Sequence, residues 1–285
     1  MTNTTWLITG ASYGLGRAIA EEVLEHGDNA VLAARTVPAL EELAARYPDT
    51  ALPVALDVTD GPQRRAAVAA ALGRFGAIDV LVNNAAVDFI GAIEEQDEAD
   101  YRMTFEVNLF GAIELMRLVL PGMRARRSGT IVNVSSMDGI ASLPANGYYS
   151  ASKFALEGLT EALWQEVEPI GLRALLVEAG SLRTGIEQRT RASGTPIADY
   201  AETAGAFREA VGNVAPENFP GDPARVAAAI REVVGSDERR HWVILGSDAH
   251  RRIGVKLGLL RAEYDAGREL ALSTDYPEQA AAPVL

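Results

Sequence analysis

The sequence predicts an α/β fold: a doubly wound parallel sheet of about seven strands with helices on both faces. Two observations predict it. Short β-branched runs alternate with long amphipathic stretches rich in Ala, Leu, Arg and Glu. Several of the short runs are apolar throughout, as strands covered from two sides must be. No repeat, linker or low-complexity tract divides the chain, so residues 1–285 read as one domain.

The first strand, Trp6–Thr9, runs straight into Gly10-Ala11-Ser12-Tyr13-Gly14-Leu15-Gly16, and a helix (Arg17–His26) follows at once. Glycines there let the backbone turn tightly and approach a pyrophosphate, whose charge is favoured at the positive end of the helix. The spacing is GxxxGxG rather than GxGxxG, and such a cluster alone serves equally well as a plain turn. The second strand, Ala30–Ala34, is followed by Arg35. A carboxylate at this point would accept from the adenosine ribose hydroxyls, whereas an arginine forks onto a 2′-phosphate. The cofactor expected is therefore NADP(H) in preference to NAD(H). As an ordinary helix-start residue, Arg35 would sit against the dipole.

A helix at Val37–Tyr47 puts Leu40, Leu43, Ala44 and Tyr47 on one face. The strand Leu52–Leu56, the helix Gln63–Phe75 and the strand Val80–Asn83 come next, then one long helix from about Asp97 to Arg127. The strand Thr130–Val134 ends in Ser135-Ser136, where a hydroxyl can hold a substrate carbonyl oxygen in the crevice at the strand's carboxyl end. Such a serine pair is also a common capping feature.

The helix Tyr148–Val167 carries the reactive pair. Tyr149 and Lys153 are four apart and share a face. A phenol titrates near ~10 in water, and a neighbouring ammonium favours the phenolate, drawing it toward the working range. The chain has only two lysines, Lys153 and Lys256, and otherwise uses arginine. Tyr148 lies off this face and is expected to pack.

The strand Arg173–Val177 leads to an irregular stretch, Gly185–Pro223, followed by the strand Trp242–Leu245. Residues 247–285 hold a helix-like segment, Arg251–Leu270, and a tail. The irregular stretch reads as a mobile substrate lid, with Gly194, Gly205, Gly212 and Gly221 as flexing points. Ile186, Ile197, Tyr200 and Phe207 would shape a pocket for a medium-sized, partly apolar carbonyl compound.

Composition narrows the partners. The net charge of −13 argues against nucleic acid and anionic membrane surfaces. The absence of cysteine removes disulfides, thiolate catalysis and Cys-ligated metals, and suits a cytoplasmic location. His26, His241 and His250 show no metal-ligand spacing, so no metal is expected. No apolar run approaches a membrane span's ~18–20 residues, and no signal peptide is read.

The glycine loop, Asp57-Val58, Asn83-Asn84-Ala85, Asn108, Ser136 and Tyr149-x-x-x-Lys153 fall in an order and spacing that resembles the short-chain dehydrogenase/reductase family over roughly Thr5–Thr184. The resemblance implies a Rossmann-like fold, a small-molecule substrate and a homodimer or homotetramer. It implies that Tyr149 is the general acid–base, that Lys153 binds the nicotinamide ribose and lowers the tyrosine pKa, and that Ser136 orients the carbonyl. Asn108 would hold a relay water. Gly10, Ser12, Tyr13, Gly14, Leu15 and Gly16 would cradle the cofactor, Asp57 and Val58 would flank adenine, and Asn84, Ala85 and Ala86 would line the dinucleotide. Gly180, Leu182 and Thr184 would embrace the nicotinamide amide.

The chain departs from the family pattern at Ala86, where Gly is usual, and at Ala179-Gly180, where Pro-Gly is usual. Both changes bear on cofactor affinity more than on chemistry. The C-terminal third resembles a bacterial branch with a long lid and an added helix, similar to hydroxysteroid and retinol dehydrogenases. The expected activity is NADPH-dependent carbonyl reduction, reversible as alcohol oxidation. The alternatives are an epimerase, dehydratase or cyclase on the same scaffold, or an NADP(H)-sensing binding protein.

Overall fold

Seven parallel strands form the main sheet, in the spatial order β3 (Ala51–Ala55), β2 (Asn29–Ala34), β1 (Thr5–Thr9), β4 (Val80–Asn83), β6 (Thr130–Val134), β7 (Arg173–Ala179) and β9 (Trp242–Leu245). This is the Rossmann-like architecture the sequence predicts. The computed structural model describes residues 3–185 and 190–276. Ile186 and the end of the tail lie outside the described residues. The order of the strands reverses between β1 and β4, so a crevice opens over their carboxyl ends.

Alternate residues of each strand feed two cores. Ile8, Leu32 and Val132 face α1 (Gly14–Glu25), α2 (Val37–Ala44) and α8 (Pro223–Gly235), meeting Ile19, Leu40 and Ile230. Leu7, Val31 and Ile131 face α3 (Gly61–Phe75), α5 (Gly111–Arg126) and α6 (Gly147–Val167), meeting Val68, Leu115 and Leu163. This two-sided cover is why the strands read as apolar throughout. Asp60 caps α3 by accepting from Gln63 N–H at 2.9 Å, and Asp222 caps α8. The helix α8 is absent from the expected pattern.

The long helix expected from Asp97 to Arg127 is interrupted. It comprises α4 (Glu98–Phe105), a π-helical turn at Glu106–Phe110, and α5. The wide turn brings Asn108 inward and seats Gly111 against Val58, where a Cβ would lie 2.9 Å from the valine side chain. Such π-bulges insert a residue without ending the helix.

The stretch expected as a lid is tied down more firmly than its composition suggests. A two-residue strand, β8 (Arg191–Ala192), pairs with β5 (Phe89–Ile90). A π-helical turn (Ala201–Gly205) leads into α7 (Ala206–Asn213). The buried carboxylate of Glu95 accepts from Ile197 N–H at 2.8 Å and from Arg208 at 2.6 Å. Gly194 and Gly221, read as flexing points, have no room for a side chain. A Cβ at Gly194 would overlap Glu95 O, and one at Gly221 would overlap Leu182, so both are glycine because backbone passes too close for a side chain. Gly212 alone of the four has open space around it.

Among the described residues the last helices are α9 (Ser247–Ala266) and α10 (Arg268–Leu272). Among the described residues no helix is long and apolar enough to cross a membrane.

Candidate active site

A cavity of about 750 Å³ opens at the crevice over β1 and β4. Its floor is the glycine loop. Gly10 and Gly14 take φ of +68° and +59°, which a side chain would strain. A Cβ at Gly16 would overlap Gly10 O, so that glycine lets α1 close on the loop. The N-cap residue of α1, Tyr13, makes no side-chain cap, and no carboxylate sits in the helix's first turn. Its N-terminal N–H groups are therefore suited to a phosphate.

Thr9 and Asn84 fasten β1 to β4 beneath this loop. Thr9 Oγ1 accepts from Asn84 N–H at 2.9 Å and Ala85 N–H at 3.0 Å, and Asn84 Nδ2 donates to Thr9 O at 2.9 Å. Gly10, Tyr13, Gly14 and Leu15 line one end of the cavity, and Asn84, Ala85 and Ala86 line its side. Gly180, Leu182 and Thr184 close it from β7. Ser136, Tyr149 and Lys153 form the inner wall.

Six expected residues lie off this wall: Ser12, Gly16, Arg35, Asp57, Val58 and Asn108. Arg35 is exposed beyond β2, its charge acting on Asp57. Against the upward push of burial, bonds from the Thr59 backbone and hydroxyl hold Asp57 below the usual carboxylate range, helped by Arg35 and Arg64. Val58 packs beneath, against Gly111.

Tyr149 and Lys153 meet as their spacing requires. The ammonium lies 5.7 Å from the phenol ring centroid and donates to Val134 O at 2.8 Å. The titration of the phenol differs from expectation: its pKa is raised, not lowered. Burial is the main cause, followed by the negative charges of Asp88 and Asp138, with a hydrogen bond from Ser136 and the charge of Arg252 opposing. Lys153 is itself brought down to about 8 by burial, against the pull of Glu157, Asp88 and Asp138. The site holds Tyr149 as a protonated phenol.

Ser136 Oγ accepts from Asp138 N–H at 3.1 Å, the short-range turn that sets its rotamer beside Tyr149. Asn108 uses its whole amide. Oδ1 accepts from Val87 N–H at 2.8 Å, and Nδ2 donates to Val87 O at 2.9 Å and Ser152 Oγ at 3.1 Å. Its side chain thus clamps the cofactor-side loop to α6 and leaves only the main chain for a water. Tyr148 packs, as expected, by stacking on Tyr101.

Several residues here carry no sequence signal of their own. Asp138 is buried, and the C-terminal Arg252 pairs with it while also donating to Ala141 O. Burial raises the Asp138 pKa, opposed by Arg252, Ser136 and Asn146. Asp248 in the first turn of α9 accepts from Ser181 N–H at 2.8 Å, and Gly180 leaves room for its carboxylate. That bond fastens the loop after β7, where the family's proline is missing. Behind Lys153, Glu157 and Glu178 lie together in the core, and none of their four carboxylate oxygens has a hydrogen-bond partner among the described residues. Burial raises both, Glu178 to about 8, with the charge of Glu157 adding to it. One turn of helix separates Glu157 from Lys153, a spacing that was legible, but its partner on β7 was not.

The chain matches a family model described as short chain dehydrogenase over residues 4–194. It is 34% identical over 270 residues to a protein of Botryotinia fuckeliana named an oxidoreductase, covering 94% of this chain and 98% of that one. It is 35% identical over 231 residues to a 3-ketodihydrosphingosine reductase of Bacteroides thetaiotaomicron, covering 80% and 82%. A short-chain dehydrogenase structure from Streptomyces avermitilis superposes with a TM-score of 0.89 at 41% identity, covering 96% of this chain and 99% of that one. One from Burkholderia phymatum, in complex with NAD, superposes at 0.77 with 29% identity, covering 94% and 95%. With the fold, the glycine loop and the paired Tyr149 and Lys153 in place, these matches establish that the chain belongs to the short-chain dehydrogenase/reductase family of oxidoreductases.

Proposed function

We propose that this chain is an NADP(H)-dependent reductase that converts a carbonyl to an alcohol, and the reverse, with Tyr149 as the acid–base group. The observation that carries this reading is the placing of Ser136, Tyr149 and Lys153 together on the inner wall of the cavity. The NAD complex of the Burkholderia phymatum relative supports a nicotinamide dinucleotide in the crevice, and Arg35 beyond β2 supports the 2′-phosphorylated form.

Asn84–Ala86 and Gly180–Thr184 would hold the nicotinamide, which when reduced would supply a hydride for the carbonyl carbon. Ser136 donates to the carbonyl oxygen and fixes its direction. Tyr149 gives that oxygen its proton. Lys153, charged at neutral pH and held by Val134 O, takes the nicotinamide ribose and steadies the phenolate left behind. Asn108 holds a relay water through its main chain. The outer cavity, lined by Leu143, Phe207, Val211 and Val255, takes a partly apolar substrate body. Exposed Met103, Phe110 and Phe154 on neighbouring helices support assembly as a homodimer or homotetramer.

The test follows nucleotide absorbance with a ketone panel, for NADPH and NADH, using wild type and Tyr149→Phe. Turnover should fall by ~10²–10⁴ in the variant while nucleotide binding persists. A variant that keeps more than about a tenth of wild-type turnover removes Tyr149 from this role.

A further inference from the structure

Asp88 is an ionisable group in the cavity that the proposed reaction does not use. It follows the cofactor-side run Asn84-Ala85-Ala86-Val87 and precedes β5, and it lines the same cavity as Tyr149. Its Oδ1 is buried and hydrogen-bonded to nothing among the described residues. Buried carboxylate oxygens are rarely left so, because the lost hydration costs more than a net hydrogen bond returns.

Lys153 and Asp138 are the charges that act on Asp88, and neither bonds its Oδ1. Lys153 donates to Val134 O. Arg252 is paired with Asp138 and also bonds Ala141 O. Asp138 repels it, and Tyr149 is a neutral phenol turned toward Ser136. Burial and the charge of Asp138 accordingly push Asp88 up to about 7, with Lys153 opposing. At neutral pH it is poised to ionise as soon as a donor meets it.

The cavity fixes where such a donor must sit. A carbonyl held by Ser136 and Tyr149 puts its neighbouring atoms between those groups and the cofactor-side loop that carries Asp88. Beyond them the walls are apolar, at Leu143, Phe207, Val211 and Val255. An all-apolar ketone would offer Asp88 nothing to bond. We propose that Asp88 is a specificity-determining residue that accepts a hydrogen bond from a hydroxyl or amine on the carbon beside the substrate carbonyl. The substrate class is then an α-hydroxy or α-amino ketone with an apolar body. This inference rests on the carbonyl-reductase reading for the position of the carbonyl.

The experiment compares cyclohexanone, 2-hydroxycyclohexanone and 2-aminocyclohexanone as substrates of wild type, Asp88→Asn and Asp88→Ser. Wild type should favour one donor-bearing ketone over the plain one by about tenfold or more in kcat/KM, and both variants should abolish that preference, as expected for one charge-assisted hydrogen bond. Which donor-bearing ketone leads separates hydroxyl from amine. A ratio that both variants leave within about twofold of wild type overturns the proposal, and so does an equal loss in NADPH affinity, which would place Asp88 on the cofactor. Calorimetric titration of 2-aminocyclohexanol, trans-1,2-cyclohexanediol and cyclohexanol into the protein, alone and with NADPH, needs no turnover. If no ketone is reduced but a donor-bearing alcohol binds about tenfold tighter to wild type than to the variants, the reductase reading fails and the role of Asp88 stands. If neither assay separates donor-bearing from plain ligands, the role of Asp88 fails by itself.

Discussion

Arg252 and Asp138 form an ion pair across 114 residues of sequence, joining the last long helix to the turn that positions Ser136. Both side chains are largely buried, so removing one strands the other's charge. Arg252→Ala should lower stability by about 2–4 kcal/mol in urea denaturation. Adding Asp138→Asn should recover at least half of that loss. A single variant as stable as wild type would mean that the helix is held by its apolar contacts alone.

Arg35 stands beyond β2 with its charge acting on Asp57, and the proposed function assigns it to a 2′-phosphate. Arg35→Asp should weaken NADPH binding by about ten- to a hundredfold and bring NADH close to parity. The check is the ratio of the two dissociation constants. No change in that ratio would move cofactor choice to another residue.

The Glu157–Glu178 pair makes stability depend on pH. Glu178 has its pKa in the fold raised from an ordinary 4.5 to about 8. A raised carboxyl leaves its stability intact below about pH 4.5, and that stability drains away as pH rises through about 8. Glu178→Gln should therefore gain up to about 4 kcal/mol over wild type at pH 9, and the gain should shrink toward nothing at pH 4. Melting temperature against pH reads this directly. Parallel curves for the two proteins would show that the Glu178 carboxyl is not raised in the fold.

Glu95 is the anchor of the segment over the cavity. Its carboxylate is held below the usual range because bonds from Ile197, Ala92 and Arg208 outweigh burial. Glu95→Ala should loosen residues 190–215, speeding their hydrogen exchange by about tenfold or more and raising KM. Exchange elsewhere in the sheet should hold steady. Loss of protection throughout the sheet would instead make Glu95 part of the global core.

The sheet was legible in the sequence because all seven strands are short, β-branched and bounded by turns. The pairing of Tyr149 with Lys153 was legible because helical spacing is local. What was illegible is non-local. The π turn at Glu106–Phe110 adds a residue within one apolar period, so the pattern of a single helix survives it. The two-residue strands β5 and β8 are too short for alternation to register. The rise in the phenol's pKa comes first from burial and then from Asp88 and Asp138, whose nearness to Tyr149 only the fold creates. Gly194 and Gly221 looked like hinges because composition cannot tell a glycine that moves from one that merely makes room.

The stitching of α9 to the cavity has a consequence for the order in which the protein matures. Asp138 emerges from the ribosome 114 residues ahead of Arg252, and Ser181 emerges 67 residues ahead of Asp248. At ~5–20 residues per second, the nascent chain carries Asp138 without its counter-ion for roughly 6–23 s. The nucleotide-binding half can dock its first strands in that interval, but the substrate end stays unfinished until the final helix arrives. Ribosome-stalled chains ending near Gly246 should therefore bind nucleotide and not reduce ketones, with competence appearing only after Arg252 has cleared the exit tunnel.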